Sequence, residues 1–86
     1  MTPHKTIRRH AGLVDEMASA QGIDLEEQIL RGHFSISDLE DAVLRCTGCA
    51  APEACEHWLA AQEGVAAATP DYCRNAALFA ELARQG

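Results

Sequence analysis

Four cysteines constrain the fold of this chain more than any other feature of its sequence. Their spacing is Cys46-x2-Cys49-x5-Cys55-x17-Cys73 in a chain of 86 residues. A Cys-x2-Cys pair presents two thiols from one turn of backbone and is the common nucleus of zinc and iron–sulfur sites. A chain this short buries only a modest core, so a metal or a disulfide would add much to its stability. We therefore predict that the four cysteines converge on one site.

The sequence around the cysteines indicates helices. No segment alternates apolar and polar side chains as a strand does, whereas helix-capping residues recur along the chain. The expected fold class is all-α: residues 1–86 form a single domain, a compact bundle of about five short helices with the four-cysteine site between the last three. The predicted helices run from Thr2 to Gly22, from Asp24 to Gly32, from Ser37 to Cys46, from Pro52 to Gly64, and from Thr69 and Pro70 onward.

Cys55 and Cys73 share a local sequence frame. Residues 51–55 and residues 69–73 both read small residue, proline, acid, any residue, cysteine. If each proline is the first residue of a helix, both cysteines lie at the fourth position, near free backbone N–H groups and the positive end of the helix dipole. We therefore predict that Cys55 and Cys73 are the thiols of low pKa, and that Cys46, at a helix C-terminus, has a raised pKa.

Four interpretations of the cysteines are open: small core side chains, a pair of disulfides, a zinc site and an iron–sulfur site. Three cysteines within ten residues and a fourth in a repeated frame argue against isolated core residues. Without a signal-peptide core the expected localisation is cytoplasmic, where thiols stay reduced. The predicted site is helical, and its glycine precedes Cys49, unlike the hairpin of a zinc knuckle. These features place iron–sulfur ahead of zinc.

The cysteine loop, residues 46–55, resembles the cluster loop of the helix–hairpin–helix DNA glycosylases. That loop has the same x2 and x5 spacings and binds a four-iron (4Fe-4S) cluster. The resemblance covers about ten residues, and the remaining cysteine of the glycosylases lies upstream, whereas here Cys73 lies downstream. The resemblance implies that Cys46, Cys49, Cys55 and Cys73 hold such a cluster. The length and acidity of the chain exclude the glycosylase activity itself.

The chain as a whole resembles an uncharacterised family of short, four-cysteine, all-helical bacterial proteins. The similarity spans about residues 10 to 82, with Arg74 at a position where that family often has proline. It implies one helical domain and no known activity. The matching motifs are His10-Ala-Gly-Leu13, Arg45-Cys46-x2-Cys49 and Cys73-Arg-Asn75-Ala76.

Three further polar residues are relevant to the cysteine site. His10 is expected near the inward face of the first helix, hydrogen-bonded and partly buried. Asn75, two residues past Cys73, could donate a hydrogen bond to a cysteine sulfur and tune the centre. His57 follows Cys55 by two residues, so on a helix it faces away and is expected at the surface.

Charge limits the classes of partner. A net charge of −6 argues against nucleic acid, because phosphate neutralisation dominates that kind of binding, and no stretch is long enough to span a membrane. Lys5, Arg8 and Arg9 are expected to form a solvated helix face, with a docking patch for an acidic partner as the alternative. We expect a monomer or weak dimer with a protein partner.

The sequence predicts a small metal-binding protein, a four-cysteine iron–sulfur redox carrier or sensor. A zinc-stabilised protein-interaction module and a dithiol/disulfide redox protein are the alternatives. No catalytic arrangement or phosphate-binding loop is apparent, so we expect no enzymatic activity.

Overall fold

The all-α prediction is confirmed. The computed structural model describes residues 4–85, which form five helices and, within that range, no strand. The radius of gyration is 12.2 Å, close to the roughly 12 Å expected of a compact chain of this length. The predicted N-terminal cap, Thr2 with Pro3, lies outside the described residues. The helices are α1 (His4–Ala20), α2 (Leu25–Leu30), α3 (Ile36–Thr47), α4 (Pro52–Ala60) and α5 (Ala76–Gln85).

Glycines end the first two helices, as predicted. Gly22 and Gly32 have φ angles of 75° and 78°, in the left-handed region that other residues rarely adopt. In each case the N–H of the following residue donates to the carbonyl five residues back, at 2.9 and 3.0 Å. This pattern is a Schellman motif, which satisfies carbonyl groups that the helix end leaves free.

The start of α2 matches the prediction and the start of α3 does not. The Asp24 side chain accepts the N–H of Glu27, so Asp24 caps α2. In α3 the capping box is formed by Ser35 and Asp38, at 2.9 and 3.0 Å, two residues before the predicted Ser37. Ser35–Asp38 and Ser37–Glu40 both have the three-residue spacing of a capping box, and the earlier pair forms it.

The last two helices are shorter than predicted. Pro52 begins α4 as expected, but α4 ends at Ala60 rather than Gly64. The larger difference is in α5, which begins at Ala76 rather than Pro70. Residues 70–75 instead form successive turns, closed by hydrogen bonds from the Cys73 N–H to Pro70 and from the Ala76 N–H to Cys73, at 3.1 and 3.3 Å.

Residues of α1, α2, α3 and α5 contribute to the core, and α1 packs against both α3 and α4. Arg9 of α1 reaches α4, where its Nε donates to Glu56 at 2.8 Å. Leu30 of α2 is 80% exposed, whereas Gln28 of the same helix is buried. No helix of the described range is long and apolar enough to cross a bilayer. The buried apolar side chains that form the core cluster are Val14, Met17, Ala18, Ile23, Leu25, Phe34, Ala42, Val43, Phe79 and Leu82.

Candidate metal centre

The end of α3 positions the first two cysteines. Cys46 lies in the last turn of α3, and its carbonyl accepts the N–H of Cys49 at 3.0 Å. The chain therefore turns at Gly48 and brings Cys49 back beside the helix end. The Cys49 sulfur accepts the N–H of Ala51 at 3.4 Å, so the loop that leads into α4 is tied to this thiol.

The start of α4 positions the third cysteine as the sequence predicted. Pro52 is the first helical residue, and Cys55 is therefore the fourth. The Cys55 N–H donates to the carbonyl of Ala51 at 3.0 Å, which is the first hydrogen bond of the helix. Ala51 offers no side-chain cap, so the fixed φ of the proline is the main local signal that starts α4 here.

Cys73 corrects the paired-frame prediction, because it precedes α5 and lies in the turns of residues 70–75. Asn75 anchors these turns to α3. Its side-chain N–H donates to the carbonyl of Ala42 at 2.9 Å, and its carbonyl oxygen accepts from Arg45 Nε at 2.8 Å. The α5 helix starts directly after this anchor. A tertiary contact, absent from the local frame, therefore sets where α5 begins.

Asn75 acts on the Cys73 sulfur differently from the prediction. The side-chain oxygen and nitrogen of Asn75 are both hydrogen-bonded to residues of α3. Its backbone hydrogen bond with Cys73 lowers the pKa of that thiol, as does the hydroxyl of Thr69. Burial outweighs both and raises the pKa of Cys73 overall, with a further contribution from the negative charge of Cys49.

The four cysteines line one narrow cavity of about 20 Å³, roughly the space that one water molecule needs. All four are half-buried free thiols. Apolar side chains of α1 and α5 complete most of the wall. The lining residues are His10, Leu13, Val14, Met17, Cys46, Cys49, Pro52, Cys55, Tyr72, Cys73, Arg74, Asn75 and Phe79.

Burial and repulsion between neighbouring thiols raise the pKa values of Cys46, Cys55 and Cys73. Burial, followed by the charges of Cys55, Cys49 and Cys73, raises the pKa of Cys46 to about 11. Burial also raises the pKa of Cys55, followed by the charges of Cys73 and Cys49 and of two neighbouring glutamates. The predicted low pKa of Cys55 and Cys73 is therefore wrong. The raised pKa of Cys46 agrees with the prediction, although burial is its main cause.

Repulsion between the cysteines contributes to each of these raised pKa values. Each of the six possible pairs among Cys46, Cys49, Cys55 and Cys73 contributes a repulsion that raises a pKa. For Cys46 and Cys55, no interaction lowers the pKa. Four thiolates could therefore coexist here only with a compensating positive charge.

The four cysteine thiols have the chemistry of metal ligands, but they are not arranged around a common point. Across residues 4–85, no group of three or more His, Cys, Asp or Glu side chains is positioned to hold a metal ion. A thiol that changes its χ1 rotamer moves its sulfur by about 3 Å. The cavity thus brings the four cysteines together, and closure around an ion requires side-chain rotation.

His57 and His10 lie at the surface and in the interior, as the sequence predicts, and His10 has a further feature that the sequence does not predict. His57 is exposed, as predicted. His10 is only 4% exposed, and its ring lines the cysteine cavity. Its proximity to the cysteines was not predicted, because it depends on how α1 packs against the ends of α3 and α4. The signal that could have found it is its place on the inward stripe of α1, with Val14 and Met17.

The chain belongs to the Family of unknown function (DUF6455), which matches residues 1–85. This confirms the predicted membership of an uncharacterised family. No curated protein and no solved structure matches the chain.

Proposed function

We propose that this member of the DUF6455 family is a small metal-binding protein whose thiolate ligands come from Cys46, Cys49, Cys55 and Cys73. The leading candidate for the centre is an iron–sulfur cluster that acts as a redox carrier or sensor. One observation carries the proposal: four thiols from separate parts of the chain line a single narrow cavity with apolar walls.

Charge supports a metal at this position. Burial and the neighbouring thiols raise the pKa values of Cys46, Cys55 and Cys73, so the protein alone disfavours the thiolate forms of these three. A cation reverses the sign of this effect, because it favours each thiolate and displaces its proton. The ligands also come from the end of α3, the start of α4 and the turns before α5. A metal that ties these segments together would stabilise the fold.

Local hydrogen bonds and spacing favour the iron–sulfur candidate. The Ala51 N–H donates to the Cys49 sulfur, and interactions with the Asn75 backbone and the Thr69 side chain act to lower the pKa of Cys73, against the larger effect of burial. Hydrogen bonds to cysteine sulfur set the reduction potential of such clusters. The x2 and x5 spacings of the loop resemble those of the glycosylase cluster. The net charge of −6 favours a protein, rather than nucleic acid, as the partner that a carrier or sensor needs.

The size of the cavity favours a second candidate, a single zinc ion. A volume of about 20 Å³ suits one ion, whereas a four-iron cluster requires the walls to open. Structural zinc is four-coordinate with sulfur or nitrogen ligands. In that case the protein is an interaction module that zinc stabilises, without redox chemistry.

The test is the metal content of protein purified without oxygen. Iron, acid-labile sulfide and zinc are measured per chain, together with the absorption spectrum, for the wild type and for a double variant, Cys46→Ser with Cys55→Ser. His57→Ala, on the exposed face of α4, is the matched control. Iron and sulfide in equal amounts with a brown colour support the cluster, and one zinc per chain supports the second candidate. If the protein contains neither iron nor zinc, even after reconstitution of its reduced form, the proposal is contradicted.

A further inference from the structure

We propose that His10 is a metal ligand of the cysteine site, binding through its Nε2 atom alongside three of the four thiolates. The inference rests on the proposed function and refines its donor set. Its basis is the position of the His10 ring in the wall of the cavity that the cysteines line.

A hydrogen bond fixes the tautomer of His10. The Nδ1 atom lies 2.8 Å from the carbonyl oxygen of Thr6, one turn earlier in α1. A carbonyl oxygen only accepts, so Nδ1 carries the proton and donates it. In the neutral ring, Nε2 then holds the lone pair. Metal-binding histidines have this arrangement, in which the second ring nitrogen donates to a carbonyl or carboxylate and orients the ring.

The second nitrogen of His10 lacks a protein partner within the described residues. Of the hydrogen bonds recorded for its ring, the one to Thr6 uses Nδ1, and none involves Nε2. Every fully buried side-chain nitrogen or oxygen in this part of the chain has a partner. Nε2 therefore keeps some accessible surface, although His10 is only 4% exposed. His10 is one of the residues that line the cavity.

The ordinary alternative is a core histidine that its own helix satisfies. The other described histidine rings differ from His10 in their surroundings. His33 is exposed at the surface and its Nδ1 lies 3.0 Å from the Gln28 side chain, and His57 is exposed. His10 combines burial, a fixed tautomer and four thiols in the same cavity. That combination distinguishes His10 from the other two, because its Nε2 has no protein partner and coordination of a metal in the cavity would supply one.

The proposed donor set is consistent with the small cavity. Zinc and its analogues take four ligands, and the cavity wall offers five candidate donors, namely His10 and the four cysteines. One thiol therefore stays outside the coordination shell. On binding, Nε2 contributes its lone pair without losing a proton, and each of the three bound thiols releases one proton.

The experiment uses Cd²⁺ as the probe and the full chain. The ¹¹³Cd NMR shift distinguishes a four-sulfur site from a site with three sulfurs and one nitrogen. We compare the wild type with His10→Ala and with His57→Ala as the control. Because His10→Ala could impair folding, circular dichroism checks its helix content. Long-range ¹H–¹⁵N spectra of the wild type, with and without Cd²⁺, report on the His10 ring without any substitution.

The expected wild-type signal is that of three sulfurs and one nitrogen, together with a large shift of the His10 Nε2 resonance on Cd²⁺ binding. His10→Ala moves the cadmium signal to the four-sulfur position, and His57→Ala leaves it unchanged. A wild-type four-sulfur signal, with an unmoved Nε2 resonance, overturns the inference and leaves the proposed function standing. Absence of Cd²⁺ binding by the wild type overturns both.

Discussion

Asn75 ties the turn that carries Cys73 to the helix that carries Cys46, so its removal tests the architecture of the site. Asn75 is only 3% exposed. Its side chain bonds the Ala42 carbonyl at 2.9 Å and Arg45 Nε at 2.8 Å. Replacement by alanine removes both bonds and leaves a space in the protein interior.

The size of the effect follows from those two bonds. A neutral hydrogen bond contributes about 1 kcal/mol and one to a charged group about 1.5–3 kcal/mol. The hydrogen bond from Arg45 is only partly buried, so its contribution to stability is expected near the lower limit of that range. Asn75→Ala should therefore cost about 2–3 kcal/mol in the free energy of unfolding. For a chain of 86 residues this lowers the melting temperature by roughly 10–20 °C.

The assay is thermal unfolding of the reduced protein, with a chelator present, followed by circular dichroism. Gln62→Ala is the control, because Gln62 donates to the Trp58 carbonyl one turn earlier in the chain and ties no separate element. Arg45→Ala and the double variant complete a mutant cycle with Asn75→Ala. A melting temperature within a few degrees of the wild type, or additive effects of the two substitutions, would refute the anchor. The variant should also bind metal more weakly, because the Cys73 turn loses its attachment.

Three other substitutions or reactions test separate parts of the structure. Ser35→Ala should cost about 1 kcal/mol of stability because it removes the α3 capping box, whereas Ser37→Ala should change little, as measured by denaturant unfolding. Arg9→Ala should lower the melting temperature slightly, an effect that disappears in high salt, and Arg8→Ala, on the exposed face of α1, should not. In reduced protein from which a chelator has removed metal, Cys46 should be the slowest of the four thiols to be alkylated, because its pKa is raised to about 11. Mass mapping at mildly alkaline pH that finds Cys46 modified first would contradict this order.

Features whose signals lie within one turn of backbone could be predicted from the sequence. Gly22, Gly32, Asp24 and Pro52 were each assigned correctly as a helix end or start. A positive φ, a carboxylate cap or a fixed proline φ acts on neighbouring backbone groups alone. The all-α class followed from the sum of such signals and the lack of strand alternation.

The errors arose where distant contacts decide the outcome. The frame around Pro70 is as good a helix start as the frame around Pro52, yet α5 begins only after Asn75. The bonds from Asn75 to α3 bridge 30 and 33 positions along the chain, and no local pattern contains them. The same holds for His10, which lines the cavity only because α1 packs against α3 and α4.

The pKa prediction failed for a related reason. A fourth helical position favours thiolate through the helix dipole, and Cys55 does occupy that position. The opposing effects are burial and the charges of the neighbouring thiols, which depend on the packed structure. The sequence indicated that the cysteines would meet, but it could not show that their proximity would raise their own pKa values.

The central claim, that the four cysteines form one metal site, is tested most directly by native mass spectrometry of protein purified without oxygen. The account predicts one dominant species per chain, heavier than the polypeptide by the mass of a single metal centre, and its loss in the Cys46→Ser, Cys55→Ser double variant. The His57→Ala control should keep the added mass. A wild-type spectrum that contains only the bare polypeptide, before and after reconstitution with iron and sulfide or with zinc, would contradict the account.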